Sequence, residues 1–194
     1  MTYRGYSIEE IVEYLPKAED GPNGEGDEPL PESLISLLIT GELPTPHEYE
    51  EIMEELKKRR KLSPDVKEYI KRFPKEMHPM TQLSAALLYL EPTSSLKRAV
   101  LERQNSSNYW QYVFEDAIDI IAKLPELAAI IYRHKYKNDV FIESNPDLDW
   151  AGNFAHMLGF DSFEFKEFMR GHLTLHAYFF FHNVVIPMFF FLFE

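Results

Sequence analysis

His172 and His176 stand four residues apart, a spacing that puts two imidazoles on one face of a helix, as metal ligands can be. No carboxylate nearby completes a ligand set, because Gly171 to Phe193 contains no aspartate, glutamate, lysine or arginine. Core or hydrogen-bonded histidines are the simpler account, and no metal is expected. Glu115, Asp116 and Asp119 are close enough in sequence for paired-carboxylate chemistry, but they line the polar side of an amphipathic pattern. His78 lies in the stiff connection Phe73-Pro74…His78-Pro79-Met80. There its imidazole can orient a turn by hydrogen bonds, the structural alternative to a site histidine.

Two further patterns invite a phosphate reading and fail it. Gly21, Gly24 and Gly26 are spaced G-x-x-G-x-G, which is not the dinucleotide fingerprint, and the surrounding carboxylates would repel a pyrophosphate. The run Lys57-Lys58-Arg59-Arg60-Lys61 follows Glu48, Glu50, Glu51, Glu54 and Glu55, the order that complements a helix dipole. No G-x-S-x-G elbow, Walker loop or H-E-x-x-H pair occurs.

The elements that must position these residues read as helices. A short one precedes Tyr14, with Ser7 as N-cap ahead of Glu10. Residues 18–28 form a loop, Glu32 to Thr40 is closed by Gly41, and Pro46 to Lys61 carries Tyr49, Ile52, Met53 and Leu56 on one face. Ser63-Pro64 restarts a helix that stops before Pro74. Met80 to Leu90 is apolar on nearly every side, so a buried helix is expected. A helix over Leu96 to Arg103 leads into the longest one, Asn108 to Tyr136, which Pro125 should kink or break. Helices from Asp149 to Leu158, closed by Gly159, and from Ser162 into the tail complete an all-α chain with no strand alternation.

At 194 residues the chain can form one ordinary domain or part of a larger one. Its 32 acidic against 20 basic residues disfavour nucleic acid as a partner. The absence of cysteine excludes disulfides, thiolate metal sites and a cysteine nucleophile. The start MTYRGYSIEE has neither a secretory signal region nor an Arg-rich presequence, so no targeting peptide is expected within this chain.

In order and spacing, RGYSIEE…LP, EPLPESLISLLITGELPT, FPKEMHPMTQLSAALLYL, VFEDAIDIIAKLP, LDWAGNFAHMLGF and MRGHLTLHA resemble the eukaryotic type of citrate synthase, from Tyr3 to about Ala177. The resemblance covers less than half of a family member's length. It implies residues 1–177 as the N-terminal part of the large domain of an all-α homodimer, an incomplete helical domain here. It also implies condensation of acetyl-CoA, a substrate and not a cofactor, with oxaloacetate to give citrate at the entry to the tricarboxylic acid cycle. The implied location is the mitochondrial matrix, with the cytoplasm as alternative.

The likeness stops at the site. The family's L-H-x-D-H-E-x-x-N-V segment is replaced by Leu175-His176-Ala177-Tyr178-Phe179-Phe180, so that Phe179 stands where an oxaloacetate-binding histidine belongs. His176 matches the motif's first histidine and supports the pocket at most. The family's G-P-x-H-G element and its catalytic aspartate have no counterpart before Glu194. No catalytic residue is therefore assigned, and the chain alone is expected to be inactive. Residues 178–194 read as a non-homologous apolar tail, of A/T-rich codon type as an unspliced intron would give. Two other readings are a non-catalytic dimerising or tail-anchored derivative and an inactive subunit that mixes with full-length enzyme. A membrane span over Leu173 to Phe193 is long enough, but His176, His182, Asn183 and Pro187 within it and the lack of a cationic flank oppose it.

Overall fold

The computed structural model describes residues 2–22 and 24–180, the last three as helix backbone only. The described residues are all-α: α1 (Ile8–Tyr14), α2 (Pro31–Thr40), α3 (Pro46–Arg59), α4 (Pro64–Lys71), α5 (Pro79–Tyr89), α6 (Ser95–Leu101), α7 (Tyr109–Tyr136), α8 (Trp150–Leu158) and α9 (Phe163–Phe180). They group into two compact units. One comprises residues up to Glu54, Asp147–Ala155 and the chain from Phe160; the other comprises Glu55–Pro146 and His156–Gly159. Among the described residues no helix is long and apolar enough to cross a membrane. Most of the apolar tail lies outside the described residues.

In the first unit the chain opens with two short strands, β1 (Thr2–Tyr3) and β2 (Tyr6–Ser7), paired antiparallel. The sequence showed no strand because two residues are too few for alternation to register. Arg4 and Gly5 turn the corner with φ of 52° and 100°, the positive angles of a two-residue hairpin. Arg4 is held in this conformation by donating from Nε and Nη2 to the Leu38 carbonyl at 2.9 and 2.6 Å. Ser7 and Glu10 form the expected capping box at the start of α1. The core joins Tyr3, Ile11, Leu15, Leu34 and Leu37, and α2 packs on α9. A smaller cluster of Ala151, Ala155 and Met169 sits between α8 and α9.

In the second unit α7 packs against α4, α5 and α6, with Val66, Ile70, Phe73, Ala86, Leu127, Ile130 and Ile131 in the core. Of the kink or break expected at Pro125, the break does not occur, since α7 continues as helix through it. Proline in a helix interior costs about 3 kcal/mol, whereas burying Leu127, Ile130 and Ile131 contributes about 1.5–3 kcal/mol each. Packing therefore outweighs the lost backbone hydrogen bond. Next to the proline, buried Glu126 accepts the Leu62 amide at 2.6 Å and Lys67 Nζ at 2.7 Å, joining α7 to the start of α4.

The expectation of a buried Met80 to Leu90 helix is corrected too. Met80 is 60% and Leu88 74% exposed, whereas Gln82 is fully buried. Gln82 Nε2 donates to the Met77 carbonyl at 3.0 Å, which accounts for the inward polar residue. The outward apolar ones have no covering element within the unit.

Candidate functional site

The structure gives the sequence candidates structural work. His78 is the N-cap of α5, where Nδ1 accepts the Met80 amide at 3.2 Å. Asp116 accepts Ser94 Oγ at 2.6 Å and the amides of Ser95 and Leu96 at 2.6 and 3.1 Å, closing the start of α6. Glu115 pairs with Arg59 at 2.6 Å, and Asp119 with Lys123. Each carboxylate of that trio is thus spoken for by a different partner, which leaves no shared acid–base pair. Within the basic run, Lys58 and Arg59 both reach back to Glu55, as helix pairs do.

His172 and His176 share the exposed side of α9, with ring centroids 4.4 Å apart, and Phe168 stacks on His172 at 5.6 Å. Partial burial, and then the neighbouring His176, push the His172 imidazole below its usual pKa. Among the described residues no group of three or more histidines and carboxylates is arranged to hold a metal ion.

The strongest electrostatic feature of the first unit lies one turn earlier on α9. The fully buried Arg170 donates from Nη1 to Glu167 Oε1 at 2.5 Å and Asp20 Oδ1 at 2.9 Å. Its Nη2 donates to Asp149 Oδ2 at 2.5 Å and Asp20 Oδ2 at 3.1 Å. Burial works against the guanidinium charge, but the carboxylates of Asp149, Asp20 and Glu167 outweigh it and hold the cation well above its usual range. Burial alone would raise Asp20 as well; Arg170 and then Lys166 reverse this and lower it.

Glu167 also explains the glycine loop. Its Oε2 accepts the amides of Asp27 and Glu28 at 2.5 and 2.9 Å, and a Cβ at Gly26 would lie 3.0 Å from its Oε1. The loop does bind an anion, and that anion is the chain's own carboxylate. The bridge between Lys17 and Pro29 closes its base.

Two carboxylates meet at the start of α8. Asp149 Oδ1 accepts the Gly152 amide at 2.8 Å, and Glu32 Oε1 accepts the Trp150 amide at 2.6 Å. Glu32 is 1% exposed and its Oε2 has no hydrogen-bond partner. Burial, and next the Asp149 charge, push its carboxyl up to about 7. A buried neutral hydroxyl left unpaired costs about 1–3 kcal/mol, and a buried unpaired carboxylate costs several kcal/mol, so the protonated form is favoured below about pH 7. Glu32, Asp149, Glu167 and Arg170 were not among the residues singled out from the sequence. The available signal was Arg170 itself, the last charge before a long uncharged stretch.

This frame delivers the end of α9. Tyr3 Oη donates to the Leu175 carbonyl at 2.8 Å and the Thr174 carbonyl at 3.3 Å, next to His176, and Ala177 packs on the first unit's core. The described helix therefore carries His176 into solvent beside contacts that fix its neighbours to the first unit.

Comparison with known proteins agrees with this architecture. The profile described as "Citrate synthase, C-terminal domain" matches residues 1–178. The chain belongs to the citrate synthase family. It is 44% identical over 177 residues to the mitochondrial citrate synthase of Tetrahymena thermophila, covering 90% of this chain and 38% of that protein. It is likewise 44% identical over 176 residues to that of Xiphias gladius, covering 90% and 36%. The crystal structure of citrate synthase from Pyrobaculum aerophilum superposes with a TM-score of 0.73 at 27% identity, over 91% of this chain and 41% of that one. The structure from Thermotoga maritima, at 23% identity and a TM-score of 0.63, shares the fold. The chain thus spans well under half the length of these citrate synthases.

Proposed function

We propose that this chain is the N-terminal scaffold of a citrate synthase large domain that forms no citrate by itself. The observation that carries this reading is the end of α9. The family match ends at residue 178, and Tyr178-Phe179-Phe180 follow His176-Ala177 where the resemblance calls for an acid and a second histidine. Citrate synthesis abstracts a proton beside a carbonyl, which needs a base and a hydrogen-bond donor for the developing enolate converging on one carbon. Asp116 is committed instead to the start of α6, and Asp20, Asp149 and Glu167 to Arg170. His176 supports the pocket wall in this reading, no residue is catalytic, and no cofactor is required. Residues 178–194 are read as a tail foreign to the family. The names of the relatives favour the mitochondrion as the location. The test is citrate formation from acetyl-CoA and oxaloacetate by the purified chain. No product is expected, and turnover above the enzyme-free control overturns the reading.

A second reading is favoured by the apolar residues that the second unit leaves outside. Met80, Leu88, Tyr89, Leu101, Trp110 and Phe114 on α5, α6 and α7 are exposed, and large apolar side chains left in solvent are candidates for a protein interface. This surface fits a second copy of the chain or a full-length citrate synthase subunit. Co-purification of tagged chain with a full-length subunit supports mixing, and its absence at micromolar concentrations counts against it.

A further inference from the structure

Several histidines are engaged within the chain. His78 caps α5, His134 lies between Asp139 and the Phe73 carbonyl, and His47 faces Glu51 at 3.7 Å. His172 and His176 differ from these. Both are exposed, and among the described residues their contacts are with other rings, not with hydrogen-bonding or charged partners. His172 stacks on Phe168 at 5.6 Å and 24°, and its ring centroid lies 4.4 Å from that of His176 with the planes at 52°.

That separation suits a chelate. With metal–nitrogen bonds of about 2.0–2.1 Å and each ring centre about 1.1 Å behind its nitrogen, two imidazoles bound cis to one ion have centroids about 4.5 Å apart. A tetrahedral pair is wider, at about 5.1 Å. The observed 4.4 Å therefore matches the cis positions of a square-planar or octahedral ion, the geometry of Cu2+ or Ni2+. No carboxylate joins the pair, so water fills the remaining positions.

The ligands are also available and held in place. A ligating imidazole must be unprotonated, and partial burial first, then His176, lower the proton affinity of His172. The turn that carries both rings is fixed on either side. Arg170 ties α9 to Asp20 and Asp149, and Tyr3 Oη donates to the Leu175 carbonyl at 2.8 Å. Such preorganisation reduces the ordering cost of binding. The net charge of -12 favours the approach of a cation.

We propose that His172 and His176 form a two-histidine chelate on the exposed side of α9 for a divalent ion that prefers imidazole, with Cu2+ bound more tightly than Ni2+ or Zn2+. Because the ligands lie one turn apart, the bound ion clamps that turn of the helix. The site depends on neither the presence nor the absence of citrate formation.

Titration of the full chain with Cu2+, followed by calorimetry and electron paramagnetic resonance, tests the chelate. One Cu2+ should bind per chain, with a spectrum that shows nitrogen ligation. His172→Gln and His176→Gln should each weaken binding by about tenfold or more, because the second ligand of a chelate binds at high effective concentration. His47→Gln should leave the affinity unchanged. The chelate is overturned if the wild-type spectrum shows oxygen ligation alone, if both variants bind as the wild type does, or if His47→Gln weakens binding as much as they do. The wild-type spectrum needs no variant, so a poorly folding substitution leaves the test intact.

Discussion

Asp149 Oδ2 and Arg170 Nη2 lie 2.5 Å apart, and the Arg170 side chain is 1% exposed. This pair anchors the first unit, because the same guanidinium also holds Glu167, which organises residues 26–28, and Asp20 of the glycine loop. Removing one partner of a buried ion pair leaves an uncompensated charge and costs about 3–5 kcal/mol. Arg170→Ala should therefore lower the urea midpoint of the first unit sharply or prevent accumulation of soluble chain. Retention of the wild-type midpoint would mean that the network is not what holds this unit.

The pH dependence of stability follows from Glu32. Its folded pKa, about 7, lies above the ordinary 4.5, so the fold binds this proton more tightly than the unfolded chain does. That contribution is fully present below about pH 4.5 and is lost as pH rises through about 7, at roughly 1 kcal/mol per pH unit. Asp20 and Asp139 are lowered from the usual 3.8; what they contribute is present above that value and is lost as pH falls through their folded values. Denaturation curves from pH 3 to 9 should show greatest stability near pH 5 and a decline toward 8. Glu32→Gln should flatten the decline while leaving the acid limb unchanged.

Asp116 separates the capping role from acid–base chemistry. It accepts three hydrogen bonds at the start of α6, so Asp116→Ala should cost about 1–2 kcal/mol, as lost caps do. Asp116→Asn should recover part of that loss. Thermal melts of the second unit measure both, and equal melting of wild type and Asp116→Ala would refute the cap.

Two helix-ending glycines should respond unequally to alanine. Gly41 and Gly159 have φ of 85° and 98°, a conformation that costs an L-residue about 1–2 kcal/mol. A Cβ at Gly41 meets nothing within 4 Å, whereas one at Gly159 would lie 2.7 Å from Arg133 Nη1, which donates to the Leu158 carbonyl at 2.9 Å. Gly159→Ala should therefore destabilise more than Gly41→Ala in parallel denaturation experiments.

The exposed apolar residues predict association. Leu88 is 74% exposed, so Leu88→Glu should change folding stability by less than about 0.5 kcal/mol. It should nonetheless reduce any self-association that sedimentation detects and any co-purification with a full-length subunit. Unchanged sedimentation would exclude this surface as the sticky one.

Much of the architecture was legible because local chemistry sets it. Ser7 with Glu10, Gly41, Ser63-Pro64, His78-Pro79 and Gly159 mark helix ends by caps and special backbone angles, and these depend on residues within one turn. The motif order likewise carried the family, since residue types at spacings survive without coordinates. Helix does not break at Pro125, and the Met80 to Leu90 helix is not buried all round, for one reason: neighbouring elements decide whether packing overrides a helix breaker and whether an apolar face is covered. The carboxylate site was hidden for a related reason. Glu32, Asp149 and Arg170 are separated by 117 and 21 positions, and each alone reads as a surface charge. The sequence by itself determined the helices, their ends and the family. Only the tertiary structure decided which charges are buried together, because proton affinity and ion pairing depend on distance and desolvation, which no sequence spacing encodes.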